Sequence, residues 1–248
     1  MLDFVIVVLG VFIGIQLGNW NEARALGVQE KAYLADLRRE IAANDVITGS
    51  RIKLMTVVMT SGERAIAFLE GGAPCESACW SLLVDFFNAS QVIYTPPTKT
   101  VYDEMQRLGL PRSDAVKRAV AAYYRLDEAT TSALDTDPAY RKRVRAHISV
   151  PAQRALWRDC YGFHDATESL VPDCAPGVAE DRTRAILEEI RADTELRGQL
   201  KYWIGMHTLW TPILATQIDA GEAAIAAIDE ALGDKTDLDA VKQQESVE

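Results

Sequence analysis

The stretch "VLGVFIGIQLGNWNEAR", residues 8–24, decides how the chain is first read. Gly10, Gly14 and Gly18 recur at every fourth position, Gln16 sits among aliphatics, and the run ends in Asn19-Trp20-Asn21-Glu22. A buried helix, a cleaved signal peptide and a membrane span all compete for such a segment. From Phe4 to Leu17 it is apolar except for Gln16, and no charge falls between Asp3 and Glu22. About 20 apolar residues cross a bilayer comfortably and about 17 is the short end, so residues 2–20 suffice when Asp3 and Asn19 sit at the two interfaces. Trp20 then serves as the interface anchor, its ring among the headgroups and its N–H hydrated.

Gly10, Gly14 and Gly18 share one face of a helix, because residues four apart stack one above another. A face stripped of side chains lets a second helix approach closely, and Gln16 can add an interhelical hydrogen bond. The plainer reading is that small residues are common in such helices. "ARA", Ala23 to Ala25, has the small-x-small form of a signal-peptidase site, but the leading "MLD" carries no Lys or Arg. The expectation is therefore an uncleaved transmembrane helix.

The chain has 248 residues, 48% hydrophobic and 25% charged, which is ordinary for a globular fold with a well-filled core. A mean hydropathy of -0.04 excludes a polytopic membrane protein. The net charge of -10 argues against a nucleic-acid partner, since phosphate backbones are held by clustered cations. "RKRVR", Arg141 to Arg145, is the local exception and reads as a solvated helix face. Cys75, Cys79, Cys160 and Cys174 form two local pairs. They suggest disulfides in an oxidising compartment, and although other connectivities stay open, Cys75–Cys79 and Cys160–Cys174 are the expected ones.

"VVLGVFIGIQLGNWNEAR" resembles the anchor of an uncharacterised bacterial family of single-pass inner-membrane proteins, whose members read like "VVIGILIALQINNWNEER" followed by a Tyr-Leu-x-x-Leu helix. Here that helix is "KAYLADLRREI", with Tyr33, Leu34 and Leu37. A second match is "YTPPTKTVYDEMQRLGL", residues 94–110, before an amphipathic helix that ends in Tyr123-Tyr124. The matches cover roughly the first half of the chain. The resemblance implies an inner-membrane anchor with a helical domain outside the cytoplasm, and it supplies no catalytic residues. Arg24, Lys31, Arg38 and Arg39 favour the cytoplasm for that domain by the positive-inside rule. The resemblance and the cysteine pairs favour the periplasm, which is the expectation taken.

Beyond Trp20 the pattern is helical. Leu34, Leu37 and Ile41 recur at helical spacing, as do Ile52, Met55 and Met59, with a break expected at Thr48-Gly49-Ser50 and an end at "GGAP", residues 71–74. "CESACWSLLVDFFNAS" predicts a short helix, and "QVIYTPP" an irregular connection. Thr100 with Asp103 approaches a capping box, Gly109 and Pro111 close that helix, and Ser113 caps the next. Pro151 kinks or divides the helical stretch from Ala139, and residues 164–181 read as a loop. Asp181 or Thr183 caps a last helical region to Leu232, interrupted at Asp193-Thr194 and Pro212. No β-alternation persists. The expected fold is all-α: a transmembrane helix at 2–20 continuing into an irregular multi-helix bundle at 21–232, with a mobile polar tail at 233–248 and roughly six to nine helices in all.

Few residues point to chemistry. Cys160, His164, His147, Asp165 and Cys174 match no trusted zinc spacing, so a disulfide and two ordinary histidines are expected, with no metal and no cofactor. Tyr202, Met206 and Trp210 in "YWIGMHTLW" recur every four residues and read as a core stripe, with His207 on the adjoining row as a satisfied or hydrated histidine. Acidic neighbours such as Asp103-Glu104 and Glu188-Glu189 point about 100° apart on a helix and form no dyad. There is no phosphate loop, GxSxG elbow or HExxH, so no catalytic residue is assigned and no enzyme is expected. The expected function is a membrane-anchored interaction protein whose partners are the lipid bilayer and further copies or a membrane complex. The alternative is a periplasmic helical ligand-binding module, a sensor or carrier, which requires an apolar pocket between helices.

Overall fold

The computed structural model describes residues 2–92, 97–134, 137–164 and 167–233, without the side chains of 2–11, 23 and 132–134. In chain order these form α1 (Leu2–Gly71), α2 (Cys79–Ala89), α3 (Thr100–Arg107), α4 (Asp114–Leu134), α5 (Ala139–His147), α6 (Val150–Asp159), β1 (Tyr161–His164), β2 (Thr167–Leu170), α7 (Glu180–Ala192) and α8 (Thr194–Leu232). The chain divides into two compact units. One comprises Met1–Ala42, Thr98–Ala121 and Gly221–Glu248; the other comprises Ala43–Pro97 and Ala122–Ala220.

In the first unit, Leu34, Leu37 and Ile41 are buried as their spacing on α1 requires, and so are Met105, Val116, Val120, Ala224 and Ile228. The start of α3 is capped from outside its own sequence. The Glu40 carboxylate accepts from the backbone N–H of Val101 at 2.8 Å and of Tyr102 at 3.2 Å. That satisfies two of the donors a helix N-terminus leaves open and sets an anion at the positive end of the dipole. Thr100 does not act as the expected cap: Lys99 holds that position without a side-chain bond. Ser113 does face the Val116 N–H at the head of α4, at 3.5 Å.

The second unit is organised around α2. Cys79, Trp80, Leu83, Val84, Phe86, Phe87 and Ala89 are all buried, and a helix apolar around most of its circumference has to lie inside. Around it pack Tyr140 and Val144 of α5, Leu156 of α6, Ile186 and Ile190 of α7, and Leu200 and Trp203 of α8. Its two buried polar side chains include Asp85, which accepts from Arg64 Nε of α1 at 2.9 Å. The α2 N-terminus is again capped in trans, with Cys79 N–H donating to Glu180 Oε1 at 2.9 Å.

Elsewhere α1 runs unbroken through Thr48-Gly49-Ser50, where Thr48 Oγ1 donates back to the Asn44 carbonyl at 3.0 Å. α8 likewise continues through Pro212. Asp193 does separate α7 from α8, and Pro151 sits in the first turn of α6, where a missing N–H is harmless. Part of the expected loop is an antiparallel hairpin, Tyr161 opposite Leu170 and His164 opposite Thr167. It is too short for alternation to show in sequence.

The transmembrane helix at 2–20 is corrected. Among the described residues no helix is long and apolar enough to cross a membrane. The stretch from Phe12 to Trp20 is exposed on α1. Beyond it α1 turns polar at Asn21, Glu22 and Arg24. Asp165, residues 94–96 of the second matched motif and tail residues 234–248 lie outside the described residues, and the surroundings of Gly10 are not described.

Both expected disulfides are present, Cys75–Cys79 and Cys160–Cys174, the second closing the base of the hairpin. Loop-closure entropy makes the wider loop the more stabilising: about 3 kcal/mol for Cys160–Cys174 and about 2 kcal/mol for Cys75–Cys79. Urea unfolding of the Cys160→Ala/Cys174→Ala and Cys75→Ala/Cys79→Ala variants should show that order, and a reversed order would contradict it.

Candidate functional site

The last turn of α2 builds the site. A helix C-terminus leaves carbonyls without intrahelical partners, and here they are buried. The Tyr140 hydroxyl of α5 donates to Phe86 O at 3.1 Å, Trp203 Nε1 of α8 donates to Ala89 O at 2.9 Å, and Arg141 Nη1 donates to Ser90 O at 2.9 Å. Burial raises the Tyr140 phenol well above its ordinary range, so it stays a neutral donor. These bonds set the start of α5 and the middle of α8 at fixed positions beside α2.

Between those two elements lies a cavity of about 450 Å³ lined by Pro138, Ala139, Tyr140, Gly198, Gln199, Tyr202, Trp203, Met206, His207 and Trp210. Gly198 has nothing within 4 Å of where a Cβ would lie, so the wall is open there. Tyr202 is 72% exposed and His207 only 2%, which places the tyrosine outermost and the histidine deep. Tyr140 and Trp203 spend their polar atoms on α2, leaving ring surface toward the cavity.

Two polar groups of the lining differ. Both ring nitrogens of His207 and the Oε1 of Gln199 are buried without a hydrogen-bond partner. His207 meets the Trp203 ring edge to face, centroids 4.3 Å apart. Burial pushes its pKa down to about 4, so the imidazole is neutral, with one N–H donor and one acceptor nitrogen. Buried polar groups are almost always paired, so these three atoms, closed to solvent and to the cavity space alike, are a cost to the fold.

A second, polar groove lies beside Arg143, His147, Glu189, Ala192, Asp193 and Thr194. Its charges are mutually paired: Arg143 Nε meets Asp193 at 2.6 Å, and His147 Nε2 meets the same carboxylate at 2.9 Å. Arg143, followed by His147, holds Asp193 well below the usual carboxylate range. "RKRVR" is therefore no freely solvated face. Arg141 bonds Ser90 O, Arg143 takes the acids of the α7–α8 junction, and Arg145 lies 4.1 Å over the Phe87 ring and 4.8 Å over Trp157. Among the described residues no group of three or more His, Cys, Asp or Glu could hold a metal.

The structure scatters the residues singled out in sequence. A Cβ added at Gly14 or Gly18 would meet nothing within 4 Å beyond its own helix backbone, Gln16 is exposed, and Trp20 is 62% exposed with the Arg24 guanidinium 5.9 Å from its ring centre. Cys75 and Cys160 belong to disulfides with no histidine. The presumed core stripe is corrected: Tyr202 is exposed, Met206 and Trp210 are half-buried, and the buried row is the adjoining one, Trp203 and His207. A signal was present in the spacing, since Gly198 one turn before Tyr202 removes a side chain beside clustered aromatics. Nothing in the sequence showed that Pro138 to Tyr140 would form the facing wall.

Fold and site together define a helical protein with an aromatic-walled cavity. No family model, no curated protein and no solved structure matches the chain. The resemblance to the single-pass inner-membrane family is corrected on that ground and on the lack of a spanning helix among the described residues. The membrane-anchored interaction role, the lipid-bilayer partner and the inner-membrane, periplasm-facing location are corrected on the same finding.

A buried neutral histidine ties stability to pH. Its folded pKa lies below the ordinary value of about 6.5, so as pH falls the unfolded chain binds the proton first. Its contribution is intact above about pH 6.5 and is lost as pH falls toward about 4, amounting to about 2–3 kcal/mol near pH 4.5. Chemical denaturation near neutrality and near pH 4.5 should show that loss in the native chain and not in His207→Phe; equal losses in both would refute it.

Proposed function

We propose that this chain is a non-catalytic, helical ligand-binding module that takes a small apolar molecule into the cavity between α5 and α8. The observation that carries this reading is the cavity's composition: three Trp and Tyr rings besides Tyr140, one Met and no formally charged side chain among the described lining residues. Its volume of about 450 Å³ falls within the roughly 300–1,000 Å³ of small-molecule sites. Apolar walls supply affinity through water release, at roughly 25 cal/mol per Å² buried, and a few polar groups orient the guest. Rings held by hydrogen bonds to α2 leave the pocket formed before binding, so little ordering entropy is spent on association.

The test uses the neutral fluorophore phenylnaphthylamine with the full chain. Its emission should rise on saturable binding. Gly198→Phe should weaken that binding by about tenfold or more, because the added ring enters open space in the cavity wall and leaves the unfolding midpoint in place. An unchanged affinity in Gly198→Phe, or no saturable binding by the native chain, would refute the proposal.

A further inference from the structure

We propose that the Cys75–Cys79 bridge is a redox-sensitive latch: its reduction by a dithiol releases residues 72–78 from α7 while the rest of the fold stands.

Residues 72–78 join α1 to α2 and are exposed apart from Cys75, which is half-buried. Three of their carbonyls are held from α7. Arg191 Nη1 donates to Gly72 O at 2.7 Å, and Arg184 donates to Cys75 O and Glu76 O at 3.0 Å each. These bonds lie at the surface, where water competes for both partners. The covalent tie is the bridge, which keeps the Cα atoms of Cys75 and Cys79 5.7 Å apart.

The loop that the bridge closes contains a misfit. Ala78, at the N-cap of α2, has φ 54° and ψ 33° and offers no side-chain cap. Among the described residues it is the one non-glycine residue at positive φ. An N-cap ordinarily takes an extended backbone, and the left-handed region crowds an L-residue's Cβ against the following carbonyl. A ring closed over so few residues confines Ala78 there. Opening the bridge lets it return to the extended region, so the crowding burdens the oxidised form and not the reduced one.

Access selects the same bridge. Cys79 and Cys160 are fully buried and Cys174 nearly so, and Cys160 and Cys174 both lie in the core around α2. Attack therefore falls on Cys75. A thiolate of the dithiol bonds to Cys75 Sγ, the Cys75–Cys79 bond breaks, and Cys79 leaves as a thiolate that takes up a proton. The second thiolate then attacks the reductant's own sulfur in the mixed disulfide. That closes the reductant's disulfide and releases Cys75, which is protonated in turn. Two electrons and two protons pass from the dithiol to the bridge.

The full chain, equilibrated at graded ratios of reduced to oxidised dithiothreitol, alkylated and read by mass spectrometry of its cysteine peptides, tests this. Cys75 and Cys79 should take the label at ratios that leave Cys160–Cys174 closed. Ala78→Gly accepts the left-handed backbone without crowding, so half-reduction of its Cys75–Cys79 bridge should need a ratio about fivefold or more higher. In the selectively reduced chain a glutamate-specific protease should cut after the exposed Glu76 several-fold faster than in the oxidised chain. Labelling of Cys160 and Cys174 first, or together with the other pair, would overturn the latch. An unmoved midpoint in Ala78→Gly would overturn it too, because α7 rather than the bridge would then confine Ala78, and so would equal cleavage after Glu76 in the two states.

Discussion

Buried carbonyls at the end of α2 constrain everything packed around them. A helix that lies inside a unit cannot hand its terminal carbonyls to water, and an unpaired one costs about 1–3 kcal/mol. Here Phe86, Ala89 and Ser90 are served by Tyr140, Trp203 and Arg141, which come from helices distant in sequence. Two of the donors, on Tyr140 and Trp203, are the polar tips of long side chains whose rings belong to the same core cluster as α2. The hydrogen bonds thus choose the positions of α5 and α8, and hydrophobic burial follows.

The cavity is a by-product of that arrangement. Tyr140 and Trp203 hold their rings where their polar tips are bound, and Gly198 supplies no side chain to close the space left beside them. His207, one turn beyond Trp203, is carried into the interior by the same packing and finds no partner. An unpaired imidazole is a burden to the fold, and the burial that leaves it unpaired also lowers stability in acid. The disulfides act elsewhere, fixing the approach to α2 and the hairpin.

Much of the helical pattern was legible because helix periodicity and turn residues are local. Leu34, Leu37 and Ile41 announced their buried face, Asp193 a break, and the cysteine pairs their partners. What was not legible depended on long-range partners. The caps on α2 and α3 are Glu180 and Glu40, which no local capping rule connects to those termini. The row of α8 that is buried was misjudged because Tyr202, Met206 and Trp210 have the same period as Trp203 and His207 offset by one residue, and only the position of α5 and α2 decides between them. The apolar run at the N-terminus read as a membrane span for a related reason: hydropathy is local, and a span is a property of length, polarity and surroundings together.

The indole N–H of Trp203 is the bond on which this account turns. Its hydrogen-exchange rate, read by NMR in the full chain and assigned with Trp203→Phe, measures directly whether that N–H is held by Ala89 O in the interior. Exchange slowed to the level of global unfolding is the predicted result. Exchange as fast as that of a solvent-exposed indole would mean that α8 is not pinned to the end of α2, and the cavity would lose its physical basis.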